Sequence, residues 1–245
     1  MTWTPLSSAQ LPPLEEGVVH LVHLPLARAP GAQLEALLGA QECERASRFA
    51  FARDRERYVL ARATLRQLLG SLLRQPPGSL CFSQGPYGKP ALAPAQPLRF
   101  NLSHSGEHAL YAFALERELG VDLEQARGEV DVEGVARLVF SPEEQRAFAA
   151  LPQAGRRVAF FQLWARKEAV IKAEGTGFAE PSADFTLTVD PQEPPRLLAH
   201  ARRPGALARW SLGDVDVQLP GYAAALVVEG PPPRLRHWRI EPAGG

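Results

Sequence analysis

The chain predicts an α+β fold built as two similar halves, a pseudo-dimer within one polypeptide. Three observations carry that expectation. A plan of strand, long helix and paired strands fills the residues up to about Leu115, and the same order runs again from Gly120 to Val228. Each half contains one long segment of helical period. At 245 residues with 45% hydrophobic content, the chain is large enough to bury a core in each half. No repeat is visible residue by residue. The expected division is an N-terminal half over 1–116, a C-terminal half with the metal site over 117–230, and a tail over 231–245.

In the first half, G-V-V-H-L-V-H-L-P-L from Gly17 to Leu26 reads as a strand with Val19, Leu21 and His23 on one face. His20 and His23 are strand residues there, not ligands. A short helix is expected from Gln33 to Leu38, followed by Q-E-C-E-R-A-S-R-F. From Asp54 to Leu73 the period is helical: Tyr58, Ala61, Leu65, Leu68, Leu69 and Leu72 make a core face, edged by Arg55, Arg62 and Arg66. Such a row is ordinarily a solvated face, but Arg45, Arg48, Arg53 and Arg57 nearby favour a local anion site. Gln75-Pro76-Pro77-Gly78 ends the helix. A strand at Leu80–Ser83 leads to G-P-Y-G-K-P-A-L, where Gly88 and Pro90 hold Lys89 on a tight turn. F-N-L-S-H-S-G then runs from a strand into a polar turn, and a buried strand follows from His108. Ser103 beside His104 is no nucleophile pair, because neighbours on an extended chain point to opposite faces, and no G-x-S-x-G elbow is present.

The second half opens with Gly120-Val121-Asp122-Leu123-Glu124. On a strand the two carboxylates lie side by side, roughly 7 Å apart, and repel unless a cation stands between them. Ser141-Pro142-Glu143-Glu144 is a capping box with proline at the first helical position, a structural feature. From Phe160 to Phe178 one helix is expected, stopped by Gly175-Thr176-Gly177. Phe160, Trp164 and Ile171 give it a core flank. Trp164, Glu168 and Lys172 follow at i, i+4, i+8, which by itself reads as a helical Glu168–Lys172 ion pair beside a core stripe. Strands are expected at Phe185–Val189, Arg209–Leu212 and Tyr222–Val228, and Pro231-Pro-Pro begins the tail.

Composition adds a constraint. Of 27 Lys+Arg only three are lysine: Lys89, Lys167 and Lys172. In a chain that otherwise writes positive charge as arginine, two of the three lie within a turn and a half of one helix. A compact ammonium with a movable pKa is what a guanidinium fork cannot supply. The net charge of zero gives no sign of a nucleic-acid or acidic-membrane partner. Cys43 and Cys81 make neither a disulfide framework nor a zinc spacing. No apolar run approaches ~18 residues, so a cytoplasmic protein is expected.

Asp122, Glu124 and Glu168 thus offer an all-oxygen ligand set of the kind that suits Mg²⁺. With the lysines and the arginine cluster, they form equipment for chemistry on a pyrophosphate.

Four motifs in this order, Y-G-K-P-A-L, F-N-L-S-H-S, G-V-D-L-E and W-A-R-K-E-A-V-I-K-A-E-G-T-G-F, resemble those of the 4′-phosphopantetheinyl transferases of the surfactin-synthetase-activator type. The resemblance covers about Glu42 to Phe178. It implies a monomer that binds coenzyme A in the cleft between its halves. The phosphopantetheine arm would move to a serine of an apo acyl, peptidyl or polyketide carrier protein, releasing adenosine 3′,5′-bisphosphate. By motif, Asp122, Glu124 and Glu168 would hold Mg²⁺. Glu168 would also take the serine proton, and Lys172 would support the leaving phosphate. Lys167 would lie beside the phosphates; Lys89 and His104, with Ser103 close by, would meet the adenosine end. Arg45 would face the 3′-phosphate, with Arg57 a looser match, while Glu42 stands where some relatives carry a cation. Phe178, after the helix stop, reads either as an apolar anchor for the acceptor or as a buried residue closing the core. Another metal-dependent nucleotide-utilising transferase would share these residues, and a non-catalytic interaction module would use the helix only as core and salt bridge.

Overall fold

A computed structural model describes residues 2–27, 29–177 and 181–241. In chain order the strands are β1 (Thr4–Leu6), β2 (Val18–Pro25), β3 (Cys81–Gln84), β4 (Pro90–Ala93), β5 (Leu98–Ser105), β6 (His108–Leu115), β7 (Leu119–Gln125), β8 (Phe185–Leu187), β9 (Leu197–His200), β10 (Trp210–Asp214), β11 (Tyr222–Glu229) and β12 (Arg234–Ile240). The helices are α1 (Ala32–Glu35), α2 (Ala40–Ser47), α3 (Ala52–Leu73), α4 (Val132–Val139), α5 (Pro142–Ala150), α6 (Gln153–Glu174) and α7 (Ala206–Arg209). The fold is α+β, as expected.

Two sheets form the frame, one ordered β1-β12-β2-β6-β5 and the other β10-β11-β7. Period-2 alternation gives each sheet two apolar faces with different partners. Val22, Leu24, Ala109, Tyr111 and Phe113 face α3 and its Leu60, Leu65, Leu68 and Leu69. Ala223, Ala225 and Val227 face α6 and its Phe160, Leu163, Ala169 and Val170. The remaining faces meet each other: Val19, Leu21, Leu110 and Ala112 pack against Val121, Leu123, Ala224 and Leu226. Because Val121 and Leu123 point into this shared core, Asp122 and Glu124 must point towards α6. Gly175 ends α6 in the left-handed region (φ 67°), which a residue without Cβ adopts freely.

Residues 234–240 correct the sequence reading. They are not tail but β12, lying parallel between β1 and β2 in the larger sheet. The alternation of arginine with Leu235, His237 and Ile240 hid a strand whose partners lie more than two hundred residues upstream. The expected Glu168–Lys172 pair is also absent among the described contacts; Lys172 reaches β7 instead.

His20 and His23 sit in β2 with 0% and 1% exposure, so they are strand residues as read. Burial first, then Arg236, lowers His20 to about 4, with Glu15 opposing. Burial first, then His108 and Arg239, lowers His23 to about 3. Both are neutral in the fold, whereas in the unfolded chain they titrate near ~6.5. Below that value the unfolded chain binds more protons, so stability present above about pH 6.5 is lost as pH falls towards the folded values. His20→Phe should keep stability at pH 7 and flatten the loss between pH 4 and 6 by ~1.4 kcal/mol per pH unit. Denaturant unfolding at several pH values measures this slope, and an unchanged slope would remove His20 from it.

Candidate active site

The site is built where the two sheets meet. Strands β5 and β7 belong to different sheets, and polar side chains stitch them together. Asn101 Oδ1 accepts from the Val121 amide (2.9 Å), and the Ser103 hydroxyl donates to Asp122 Oδ1 (2.8 Å). The Ser105 hydroxyl donates to Glu124 Oε2 (3.2 Å) and accepts from the Gln125 amide (3.1 Å). The two serines, two residues apart, thus serve the two carboxylates, also two residues apart.

Helix α6 crosses directly over β7. A Cβ added to Gly120 would stand 2.2 Å from the Ala169 carbonyl oxygen and 2.3 Å from the Ala173 nitrogen, so only glycine permits this approach. The Trp164–Glu168–Lys172 ridge therefore lies over the carboxylate face. The Trp164 indole donates to Glu124 Oε1 (3.0 Å). Lys172 Nζ donates to Asp122 Oδ1 (2.6 Å) and Ser103 Oγ (2.9 Å). Glu168 has no hydrogen bond among the described residues; burial first, then the charge of Asp122, raises its pKa to about 6, with Lys172 opposing and Glu124 adding. Burial and then Asp122 raise Glu124 as well.

As the side chains lie, no group of three His, Cys, Asp or Glu among the described residues is arranged to hold a metal ion, and Lys172 occupies Asp122 Oδ1. The donor set nevertheless fits a hard divalent cation. Asp122 Oδ2 is buried without a partner, Glu168 is uncommitted, and the neighbouring carboxylate charges raise the proton affinity of Glu168 and Glu124. A cation among them would relieve that repulsion and satisfy the orphaned oxygen.

A groove of about 540 Å³ runs beside this cluster between α2, α3 and β3–β5, lined among others by Arg45, Tyr58, Arg62, Phe82, Asn101 and His104. His104 has solvent access, yet surrounding protein and then Lys172 and Arg45 lower its pKa. Arg45 lies over the Tyr58 ring at 5.7 Å and makes no ion pair among the described residues. Arg57 is at the edge, paired with Glu107 (2.7 Å). Glu42 is buried and binds Arg62 (2.7 Å) and Arg66 (2.5 Å), so this position neutralises two arginines and offers no phosphate contact.

Two lysines expected at phosphates are placed elsewhere. Lys89 donates to Glu118 (2.9 Å) and to the carbonyls of Leu119 (3.0 Å) and Ala173 (3.2 Å), tying the β3–β4 turn to β7 and α6. Lys167 is 1% exposed and bound to Glu144 (2.7 and 2.8 Å) and the Phe185 carbonyl (2.8 Å). An ammonium's three donors, spread among carbonyls and a carboxylate, explain why lysine stands at both places. All three lysines pair with a carboxylate, but only Lys172 is in the cluster. Sequence reading missed Ser105 and Asn101, and gave Trp164 no hydrogen-bonding role although it set it on the ridge with Glu168 and Lys172; the alternation of Ser103 with Ser105 was the available signal. Phe178 lies outside the described residues.

Residues 118–227 match the 4'-phosphopantetheinyl transferase superfamily, and residues 31–115 match the 4'-phosphopantetheinyl transferase N-terminal family. The chain is 38% identical over 185 residues to the 4'-phosphopantetheinyl transferase HetI of Nostoc sp., covering 73% of this chain and 77% of that protein. It is 29% identical over 201 residues to the transferase psf-1 of Bacillus pumilus, covering 81% and 82%. A solved holo-(acyl-carrier-protein) synthase of Bacillus anthracis in complex with CoA (3',5'-ADP) aligns with 46% of this chain and 96% of its own, at 21% identity and a TM-score of 0.38, a partial likeness only. With both parts of the chain matched and a relative at this identity over most of its length, the chain belongs to the 4′-phosphopantetheinyl transferase family of enzymes.

Proposed function

We propose that this enzyme moves the 4′-phosphopantetheine arm of coenzyme A to a serine hydroxyl of an apo carrier protein in a Mg²⁺-dependent reaction, releasing adenosine 3′,5′-bisphosphate. The observation that carries the reading is one patch of Asp122, Glu124, Glu168, Lys172 and Ser103 beside a groove that ends at His104 and holds Arg45. In this reading 1–116 and 117–230 are the two halves, with β12 returning to the first, and the enzyme works as a cytoplasmic monomer. Among the described residues no helix is long and apolar enough to cross a membrane.

Arg45 and His104 are cationic or protonatable and not committed to an acid partner, which suits the 3′-phosphate end of coenzyme A. Lys89 ties the turn beside the groove to β7 and α6, Arg57 stands at the groove's edge, and Lys167 acts from the core. Asp122, Glu124 and Glu168 would hold Mg²⁺, which when bound supplies charge neutralisation on the pyrophosphate. Glu168, uncommitted and half-buried, takes the proton of the attacking serine. The serine oxygen bonds to the phosphorus that bears the pantetheine arm as the pyrophosphate P–O bond breaks. The bonding pair leaves on the bisphosphate, where Lys172 meets the developing charge.

Incubation with coenzyme A, Mg²⁺ and several apo carrier proteins should add one phosphopantetheine to a carrier, read by intact mass, and lose it when the carrier's acceptor serine is mutated. No gain on any carrier, or a product from ATP in place of coenzyme A, would overturn the reading. Glu168→Gln should lower turnover by ~10²–10⁴ while coenzyme A binding largely survives. Dephospho-coenzyme A should bind at least about tenfold more weakly than coenzyme A, as expected for one lost charge-assisted bond of ~1.5–3 kcal/mol. Arg45→Ala should abolish most of that difference; equal binding of both ligands to the unmodified enzyme would place the adenosine end elsewhere.

A further inference from the structure

Three consecutive residues of α6 point in three directions. Arg166 is fully buried and clasps Asp214 of β10 with two bonds, Nε to Oδ1 (2.8 Å) and Nη2 to Oδ2 (2.6 Å), while Nη1 holds the Thr188 carbonyl (2.7 Å). Lys167, about 100° further round the helix, is held by Glu144 and the Phe185 carbonyl and lies 4.2 Å from the Phe185 ring centroid. Glu144 is itself immobilised: it accepts from the Ser141 amide (2.7 Å) at the start of α5 and from the Leu187 amide (2.7 Å) of β8. Glu168 comes next, on the face turned towards Asp122.

A buried charge held by several directed bonds resists displacement more than an apolar side chain of the same size does, because any shift leaves a desolvated charge underpaired. Two such anchors, on different sides of one helix and tied to different elements, oppose rotation in both senses. The leverage is large. At roughly 5–6 Å from the helix axis, a twist of about 10° moves a side-chain tip by ~1 Å, a displacement that can cost about 10² in rate.

We propose that Arg166 and Lys167 are positioning residues of the transfer reaction, two buried cations that fix the axial rotation of α6 and thereby aim Glu168 and Lys172 at Asp122. The proposal rests on the transferase reading for its rate effect but on geometry alone for the rotation. Trp164 supplies an independent reporter, since it lies on the same ridge with its indole on Glu124.

The test uses the full chain labelled with 5-fluorotryptophan, whose four tryptophans give four ¹⁹F resonances, with Trp164 assigned through Trp164→Phe. The double variant Glu144→Gln/Lys167→Met replaces the buried pair by neutral groups of similar length, a change that such pairs often tolerate in stability. It should melt cooperatively, lose at least about tenfold in kcat with the KM for coenzyme A within about threefold, and shift or broaden the Trp164 resonance while Trp3 and Trp238 stay in place. A folded double variant with wild-type kcat and an unmoved Trp164 resonance would overturn the proposal and leave the pair as core filling. If the double variant does not fold, Asp214→Asn, at a half-buried carboxylate, weakens the other anchor; it should also move the Trp164 resonance, and an unmoved one overturns the proposal. An unmodified enzyme without transferase activity would sink the functional reading, while the ¹⁹F comparison would still decide the rotation.

Discussion

The close approach of α6 to β7 at Gly120 is the constraint on which the site depends. A helix laid on a sheet ordinarily keeps its backbone away by the thickness of the intervening side chains. Here the absent Cβ lets the backbone around Ala169 and Ala173 descend onto the strand. Glu168 and Lys172 flank those contact points, so the descent brings the ammonium onto Asp122 and Glu168 near enough to feel its charge. A helix held off by even one methyl group would leave Asp122 buried beside Ser103 alone, with its charge uncompensated.

Around this contact the polar groups form two systems with different roles. In the cleft, Asp122, Glu124, Glu168, Lys172 and the two serines make an excess of carboxylate over cation, with one oxygen orphaned and one carboxylate free. That unsatisfied charge is poised for ligands. On the far sides of α6, Arg166–Asp214 and Lys167–Glu144 are closed, each cation bonded to a carboxylate and a carbonyl. Closed pairs resist motion, and open clusters bind. The same division occurs around α2 and α3, where Glu42 closes off Arg62 and Arg66 while Arg45 stays available at the groove.

Much of this was legible in the amino-acid order. The helical period over residues 54–73, the glycine stop at Gly175 and the alternation in G-V-D-L-E are local properties set by backbone geometry and side-chain spacing, and they appear as read, whereas α6 begins at Gln153, seven residues before the expected start. Asp122, Glu124, Glu168 and Lys172 were also identifiable, because period 2 on a strand and period 3.6 on a helix each collect their members on one face, whereas Ser103 came only from the motif resemblance. The rarity of lysine singled out three positions, each of which pairs with a carboxylate.

What an ammonium bonds to, however, is a long-range matter. Lys89, Lys167 and Lys172 look alike along the chain, and only the packing of distant elements sends the first to Glu118, the second to Glu144 and the third to Asp122. Adjacent residues on a helix diverge by about 100°, so Lys167 and Glu168 belong to opposite environments once α6 has a fixed rotation. Parallel pairing of Arg234–Ile240 with β2 likewise has no local signal, since its hydrogen bonds close over most of the chain. The sequence by itself determined which residues share a face. The tertiary structure alone decided which face meets which, because that depends on contacts whose partners are remote in the chain.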